Sequence, residues 1–274
     1  MKLFDASRTV YHRSRERLRS PRVLFEDWAF VSARERALLT SLKSDGFAML
    51  PSFYTAAECE QVIAEVRHVF ETRAPRLWRS KDGADTRAFA AETVSARIRR
   101  FNRDPLLLRL GEKYLHETLE PFFTMAGHLR PTDGNLGSGG GWHRDTAAEH
   151  QFKALVYLTD TTEQTGAFQY VPGSHRLRSL VRGIVTAGAH FGQHRFEDAE
   201  VARICAAAGT EPRTFAGAAG TLLLVDSSGI HRGMPIATGE RYALTTYYFS
   251  PEQVASCWRN DKFVSYFVGE KEKQ

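Results

Sequence analysis

The first residues in this sequence with the chemistry of a metal site are His143 and Asp145, two positions apart at the end of the glycine-rich segment GSGGGWHRD (137–145). In an extended chain, residues two apart project to the same side, so these two side chains point together while Arg144 points away. A third ligand is offered by His231, between two strand-like runs. Two histidines and one carboxylate on one face of an octahedron leave three positions open, an arrangement associated with iron(II) oxygenases.

The pair alone is a weak signal, because a His-x-Asp triplet recurs by chance. Taken alone, His143 fits a hydrogen-bonded structural histidine better than a ligand, and Asp145 fits a turn residue better. The glycines before them resemble a phosphate-binding loop, but no helix with a Lys-Ser/Thr start follows, so that interpretation is rejected. We expect the glycines to permit close backbone packing around the site.

Arg241 makes the pattern more specific. It lies ten residues after His231, beyond a turn with Pro235 and Gly239, at the start of the apolar run YALTTYYF (242–249). A hairpin of that length would bring Arg241 back beside His231, where its planar guanidinium could bind a carboxylate with two parallel hydrogen bonds. Thr245 lies on the same strand face and could donate its hydroxyl to that carboxylate.

The elements around these residues predict a mainly β core with a helical N-terminal layer. A helix is expected over 32–44 and a second after the capping box of Thr55 and Glu58, ending near Arg73. A charged loop region (74–96) and a helical insertion (199–208) are also expected. Short runs separated by turn residues predict strands rather than alternating βαβ units. These strands are 46–53, 123–129, 152–158, 167–171, 221–225, 230–234 and 242–249.

Composition excludes several classes of protein. The 274 residues, 42% of them hydrophobic, suit one substantial core, and no apolar run is long enough to span a bilayer. The basic N-terminus (1–20) lacks the apolar segment of a secretory signal, so a cytoplasmic location is expected. The three cysteines form no Cys-x-x-Cys pair, so a metal site would be built from histidines and carboxylates. The arginines at 8–22 are interpreted as a solvated arm rather than a nucleic-acid site.

At this point the residues resemble the phytanoyl-CoA dioxygenase family of iron(II)/2-oxoglutarate oxygenases. The resemblance covers roughly residues 45–250, through the segments GFAMLPSF (46–53), WHRD (142–145), FQYVPGSH (168–175), GIHRG (229–233) and the strand after Arg241. It implies a double-stranded β-helix, a jelly-roll variant. It also implies that His143, Asp145 and His231 bind Fe(II) and that Arg241 binds the distal carboxylate of 2-oxoglutarate.

The resemblance further implies that 2-oxoglutarate and O2 are co-substrates and that an unactivated C–H bond of a small molecule is oxidised, most simply to an alcohol. The basic pI favours a polar or anionic metabolite, with no nucleic acid or membrane as partner. We expect one domain: arm and helix (1–45), helical layer (46–120), jelly-roll core (121–250) and C-terminal segment (251–274). Six residues could reach the substrate: His128, Arg130, Asn135, His150, Phe168 and Gln169.

Other residues and other functions remain open at this stage. His175, in the turn PGSH (172–175), is interpreted as structural, and Arg144 and Arg232 as forming salt links near the surface or behind the ligands. The alternative functions are a redox-neutral, cupin-like metalloprotein, which would not need Arg241, and a catalytically silent binding module, which would not need an intact triad. A nucleic-acid demethylase is suggested only by the basic arm.

Overall fold

The structure is a computed structural model that describes residues 31–72, 77–146, 149–190 and 192–258, apart from the side chains of Ile184 and Trp258. The basic arm predicted over residues 8–22 lies outside the described residues, as does Arg73. Among the described helices, none is both long enough and apolar enough to cross a membrane.

Two β-sheets form the centre of the protein. The strands within the described residues are β1 Phe47–Leu50, β2 Trp78–Arg79, β3 Asp85–Ala88, β4 Glu120–Leu129, β5 Phe152–Tyr157, β6 Phe168–Tyr170, β7 Arg213–Phe215, β8 Leu222–Asp226, β9 His231–Gly233 and β10 Arg241–Phe249. The large sheet has the order β1-β8-β5-β10-β4-β3-β2, and the small sheet has the order β7-β6-β9. All the pairings in both sheets are antiparallel. The predicted jelly-roll core is therefore confirmed.

The helices lie mostly before the core strands in the chain. They are α1 Ala33–Asp45, α2 Ala56–Thr72, α3 Ala96–Asn102, α4 Pro105–Leu115, α5 Leu177–Ala187, α6 Asp198–Ala208 and α7 Pro251–Trp258. Ser32 caps α1 with a reciprocal Ser32–Glu35 capping box. The capping box predicted before α2 is confirmed, because the Glu58 amide donates to Thr55 Oγ1 and the Thr55 amide donates to the Glu58 carboxylate.

The large sheet is buried on both faces, which explains the uninterrupted apolar run of β8. Leu222 and Leu224 pack into the cluster that α1 to α4 share with the sheet. Leu223 and Val225 point the other way and pack against Phe168 and other residues of the small sheet. Alternate residues of one strand therefore join the helical layer to the jelly-roll core.

Two sequence predictions need correction. The hairpin expected to bring Arg241 beside His231 is wrong, because β9 pairs with β6 in the small sheet and β10 pairs with β4 and β5 in the large sheet. Both residues nevertheless line one cavity. The charged region predicted as a loop (74–96) contains β2 and β3, which extend the edge of the large sheet.

Candidate metal centre

Backbone hydrogen bonds bring the three predicted ligands together. The amides of His143 and His231 each donate to the carbonyl of the other at 2.8 Å, so an isolated β-bridge holds the two residues side by side. The Asp145 amide donates to the Ser227 carbonyl at 3.0 Å, in the loop between β8 and β9. One potential ligand atom from each of the three side chains lies within 4.8 Å of the others.

The hydrogen bonds also determine which histidine nitrogen faces the centre. His143 Nδ1 lies 2.9 Å from the Gly141 carbonyl, and His231 Nδ1 lies 2.9 Å from the Gly229 carbonyl. A carbonyl can only accept, so each Nδ1 carries the hydrogen and each Nε2 keeps a free lone pair. Burial lowers the pKa of His143 to about 3 and lowers the pKa of His231 well below its ordinary value. Both imidazoles are therefore neutral, and each can donate its Nε2 lone pair to a metal.

The glycine-rich segment allows the backbone to approach the two histidines closely. A side chain at Gly139, whose φ is +89°, would overlap the His143 imidazole, and one at Gly137 would overlap the backbone of Gly233. The expected close packing is therefore confirmed. The side chain of Arg195 donates to the carbonyls of Gly139 and Gly140 and ties the segment to the loop before α6.

A buried carboxylate fixes the loop behind the ligands. Asp226, at the end of β8, is fully buried and accepts a hydrogen bond from Tyr114 at 2.6 Å and another from His150. Its other oxygen accepts from the Gln151 and Ser228 amides. These bonds hold the turn between β8 and β9, from which the carbonyl partner of the Asp145 amide projects.

Arg241 and Thr245 line the same cavity as the three ligands. Arg241 is 6% exposed, and its Nη1 donates to the Gly166 carbonyl. Its Nε is buried without a hydrogen-bond partner among the described residues. Burial lowers the pKa of Arg241 below its usual range, but a guanidinium remains charged at any physiological pH. An unpaired donor on a buried cation is costly, so a ligand that accepts from it would be strongly favoured.

Other residues of the cavity wall were not singled out from the sequence. The cavity contains about 620 Å³ of space, counted to its open mouth. Lys153 on β5 donates to Asp145 Oδ2, and its ammonium lies 4.1 Å from the centre of the Tyr247 ring. Arg87 on β3 is paired with Asp85 at 2.6 Å. The alternation of Lys153 with Leu155 along a predicted strand was an available signal, whereas nothing in the sequence tied residue 87 to the centre.

Of the six residues predicted to reach a substrate, Phe168 lines the cavity, and its ring lies 5.4 Å from the His231 ring. The other five do not line it. His128 stacks on Tyr242 at 4.1 Å, and Arg130 lies on a separate surface depression. The remaining three hold structure together: Asn135 bonds the Ile236 backbone, His150 bonds the buried carboxylate behind the ligands, and Gln169 bonds Arg232.

The residues that flank the motifs support the packing of the centre. Arg144 does not lie at the surface: it is buried, with its guanidinium 4.9 Å from the centre of the Phe196 ring. Arg232 forms a salt bridge with Asp198 at 3.0 Å and lies over the Trp142 ring at 4.3 Å. His175 lies outside the cavity lining, with its Nε2 3.4 Å from the Lys43 carbonyl.

The donor set fits a divalent iron ion. Two neutral imidazole nitrogens and one carboxylate oxygen suit a first-row transition metal and leave coordination positions free for other ligands. Asp145 Oδ1 lies 3.8 Å from His143 Nε2, while Oδ2 is occupied by Lys153. The carboxylate can therefore offer one oxygen to a metal. Together with the jelly-roll core, this arrangement defines a cupin-like protein with a two-histidine, one-carboxylate centre.

Comparisons with known proteins agree with this class. The family model of phytanoyl-CoA dioxygenase (PhyH) matches residues 42–242. The ectoine dioxygenase of Bordetella bronchiseptica is 28% identical over 170 residues, which are 56% of this chain and 54% of that protein. The match to the ectoine dioxygenase of Bordetella parapertussis has the same identity and extent. The chain thus spans about half the length of the curated relatives it matches.

Solved structures share the fold. The epimerase SnoN in complex with Fe3+, alpha ketoglutarate and nogalamycin RO superposes with a TM-score of 0.63 at 19% identity, covering 80% of this chain and 84% of SnoN. EctD from S. alaskensis with bound Fe superposes with a TM-score of 0.60 at 18% identity, covering 80% of this chain and 77% of EctD. The chain belongs to the phytanoyl-CoA dioxygenase family of iron- and 2-oxoglutarate-dependent oxygenases. The predicted family is thereby confirmed.

Proposed function

We propose that this protein is an iron(II)- and 2-oxoglutarate-dependent dioxygenase that hydroxylates an unactivated C–H bond of a small polar or anionic metabolite. The balanced reaction consumes the substrate, 2-oxoglutarate and O2 and yields the alcohol, succinate and CO2. One oxygen atom enters the alcohol and the other enters succinate. When bound, the iron supplies the activation of O2 and the oxidising power.

The observation that carries the proposal is that three potential metal ligands and a buried arginine line one cavity. His143, Asp145 and His231 each offer one potential ligand atom, and these atoms lie within 4.8 Å of one another. Arg241 lines the same space with an unpaired buried donor. A dicarboxylate with a 2-oxo group suits both sites, because one end can chelate a metal while the far carboxylate accepts from the guanidinium.

The protein's own residues would bind and orient the reactants. Arg241 would fix the far carboxylate of 2-oxoglutarate, and the Thr245 hydroxyl, four residues further along the same strand face, would donate to it. Phe168 packs beside His231 on the wall opposite β10 and would exclude water from the metal. The backbone carbonyls of Gly141 and Gly229 would hold the two imidazoles in the tautomer that coordinates.

A redox-neutral metalloprotein and a silent binding module are the competing functions. Neither accounts for a buried arginine with an unpaired donor beside the metal ligands. The basic arm, which was the sequence feature that suggested a nucleic-acid demethylase, lies outside the described residues.

Anaerobic addition of iron(II) and 2-oxoglutarate tests the proposal. A visible metal-to-ligand charge-transfer band should appear in the wild-type protein and be lost in His143→Ala. The control His128→Ala, outside the cavity, should keep the band. On admission of O2, one succinate should form for each 2-oxoglutarate consumed. A metal-bound protein without the band, or with the band but without succinate formation, would support one of the competing functions.

A further inference from the structure

The large sheet, which carries Arg241 on β10, brings two further cationic side chains into the cavity from β3 and β5. Among the described residues that line the cavity, Arg87, Lys153 and Arg241 are cationic, and Asp145 is the one carboxylate. Arg241 is accounted for by the proposed co-substrate. Arg87 is paired with Asp85, whereas Lys153 contacts a carboxylate that would also bind the metal, so Lys153 needs a separate explanation.

Charge counting leaves one positive charge uncompensated in the loaded site. A divalent metal ion and the 2-oxoglutarate dianion balance one another, and Asp85 balances Arg87. Of the remaining groups, the Asp145 carboxylate offsets one of the two cations Lys153 and Arg241. Buried charge without a counter-ion is strongly unfavourable, so a monoanionic ligand group would be attracted to this site.

Lys153 is the group best placed to receive that anion. Its side chain is 9% exposed, and its ammonium contacts Asp145 Oδ2 and the face of Tyr247. A metal at Asp145 withdraws negative charge from that carboxylate and weakens its hold on the ammonium, which has three donors.

We propose that Lys153, with Arg87 beside it, binds a carboxylate of the substrate, so that the molecule oxidised is a small organic acid. This inference rests on the proposed function and adds the class of substrate. Because Lys153 contacts a metal ligand directly, the carbon that is oxidised lies only a few bonds from that carboxylate. The single uncompensated charge favours a carboxylate over a phosphate dianion.

The test uses the full-length protein loaded anaerobically with iron(II) and saturating 2-oxoglutarate. Benzoate and benzamide, which share a shape and differ in charge, are titrated while the charge-transfer band is followed, with phenylphosphonate as the dianion probe. Benzoate should perturb the band at a concentration about tenfold or more below that of benzamide, because a charge-assisted hydrogen bond distinguishes the two. Benzoate should also perturb the band at a lower concentration than phenylphosphonate does.

Variants of Lys153 separate anion binding from support of the metal ligand. Lys153→Met keeps the length of the side chain and removes its charge, so the band should still form and the preference for benzoate should fall to within about twofold. Lys153→Arg should retain the preference. Lys81→Met, which removes an exposed lysine on the turn before β3, should behave as the wild type.

The inference would be overturned by a wild-type protein that responds to neither benzoate nor benzamide or responds equally to both. It would also be overturned by a preference that survives in Lys153→Met, or by loss of the band itself in Lys153→Met. The last result would show that Lys153 acts through Asp145 alone. A preference for phenylphosphonate would refute the carboxylate assignment. Failure of the wild-type protein to form any charge-transfer band would refute the proposed function as well. The wild-type band therefore distinguishes failure of the proposed function from failure of the inference about Lys153.

Discussion

Replacement of Arg241 should weaken the binding of 2-oxoglutarate by an amount that depends on how many hydrogen bonds remain. Arg241→Lys keeps the charge but cannot form two parallel bonds, and one hydrogen bond to a charged group contributes about 1.5–3 kcal/mol. The dissociation constant of 2-oxoglutarate should therefore rise about 10- to 150-fold in Arg241→Lys. Arg241→Met loses both bonds and should cost about 3–5 kcal/mol, or roughly 150- to 5,000-fold.

Anaerobic titration of the charge-transfer band gives these dissociation constants directly, since it requires no turnover. The ligand 2-oxobutyrate keeps the chelating end and lacks the far carboxylate, so it should bind the wild-type protein and Arg241→Met with similar affinity. Thr245→Val, which removes one neutral donor, should cost about 0.5–1.5 kcal/mol. Arg130→Lys, on a separate surface depression, is the matched control. The reasoning fails if Arg241→Met still prefers 2-oxoglutarate to 2-oxobutyrate as strongly as the wild type.

Two further perturbations test the metal ligand and the buried histidines. Gly139→Ala should weaken iron(II) binding about tenfold or more, because the added side chain would displace His143. Gly141→Ala is the control, since Gly141 has a similar φ but open space around it, and this variant should bind iron(II) as the wild type does. Equal affinities of the two variants in a metal titration would contradict the prediction. Burial lowers the pKa of His175 to about 4. The unfolded chain therefore takes up the proton first, and stability is lost as pH falls below about 6.5. Between pH 7.5 and pH 5, protonation of His175 should lower the free energy of unfolding, measured with denaturant, by about 2 kcal/mol. His175→Leu should remove this loss, whereas His190→Leu, at an exposed position, should not. An unchanged pH dependence in His175→Leu would contradict the prediction.

The local patterns in the sequence were sufficient to predict most elements near the site. The capping box at Thr55, the alternation within β10 and the short strands separated by turns all depend on neighbours close in the chain, and the structure has them nearly where they were expected. The family was recognisable because its motifs are short and contiguous. The projection of Thr245 to the same side as Arg241 likewise follows from the period of a strand.

The pairing of distant segments could not be predicted in the same way. The run between His231 and Arg241 has the length and turn residues of a hairpin, yet the two strands join different sheets because each finds a better partner elsewhere in the chain. Arg87 reaches the cavity through the pairing of β3 with β4 at the sheet edge, which no local pattern encodes. His150 was expected near the substrate, but it hydrogen-bonds a buried aspartate more than seventy residues later.

A helical layer over 46–120 was expected, but its individual helices over 96–102 and 105–115 were not placed, and the helix over 177–187 was not predicted. The helix α4 begins with an Asp104 cap and Pro105 in its first turn, which is a recognisable start signal. Its apolar run of three leucines is too short to distinguish a buried helix from a strand by periodicity. Packing of Leu107 and Leu110 against the large sheet decides between the two.

The most direct measurement is a crystal structure of the protein with iron(II) and 2-oxoglutarate, from crystals grown without O2. Anomalous scattering at the iron edge locates the iron. The account predicts one iron bonded to Nε2 of His143, Nε2 of His231 and a single oxygen of Asp145, with the far carboxylate of 2-oxoglutarate on Arg241. An iron at any other residues, or 2-oxoglutarate bound away from Arg241, would contradict it.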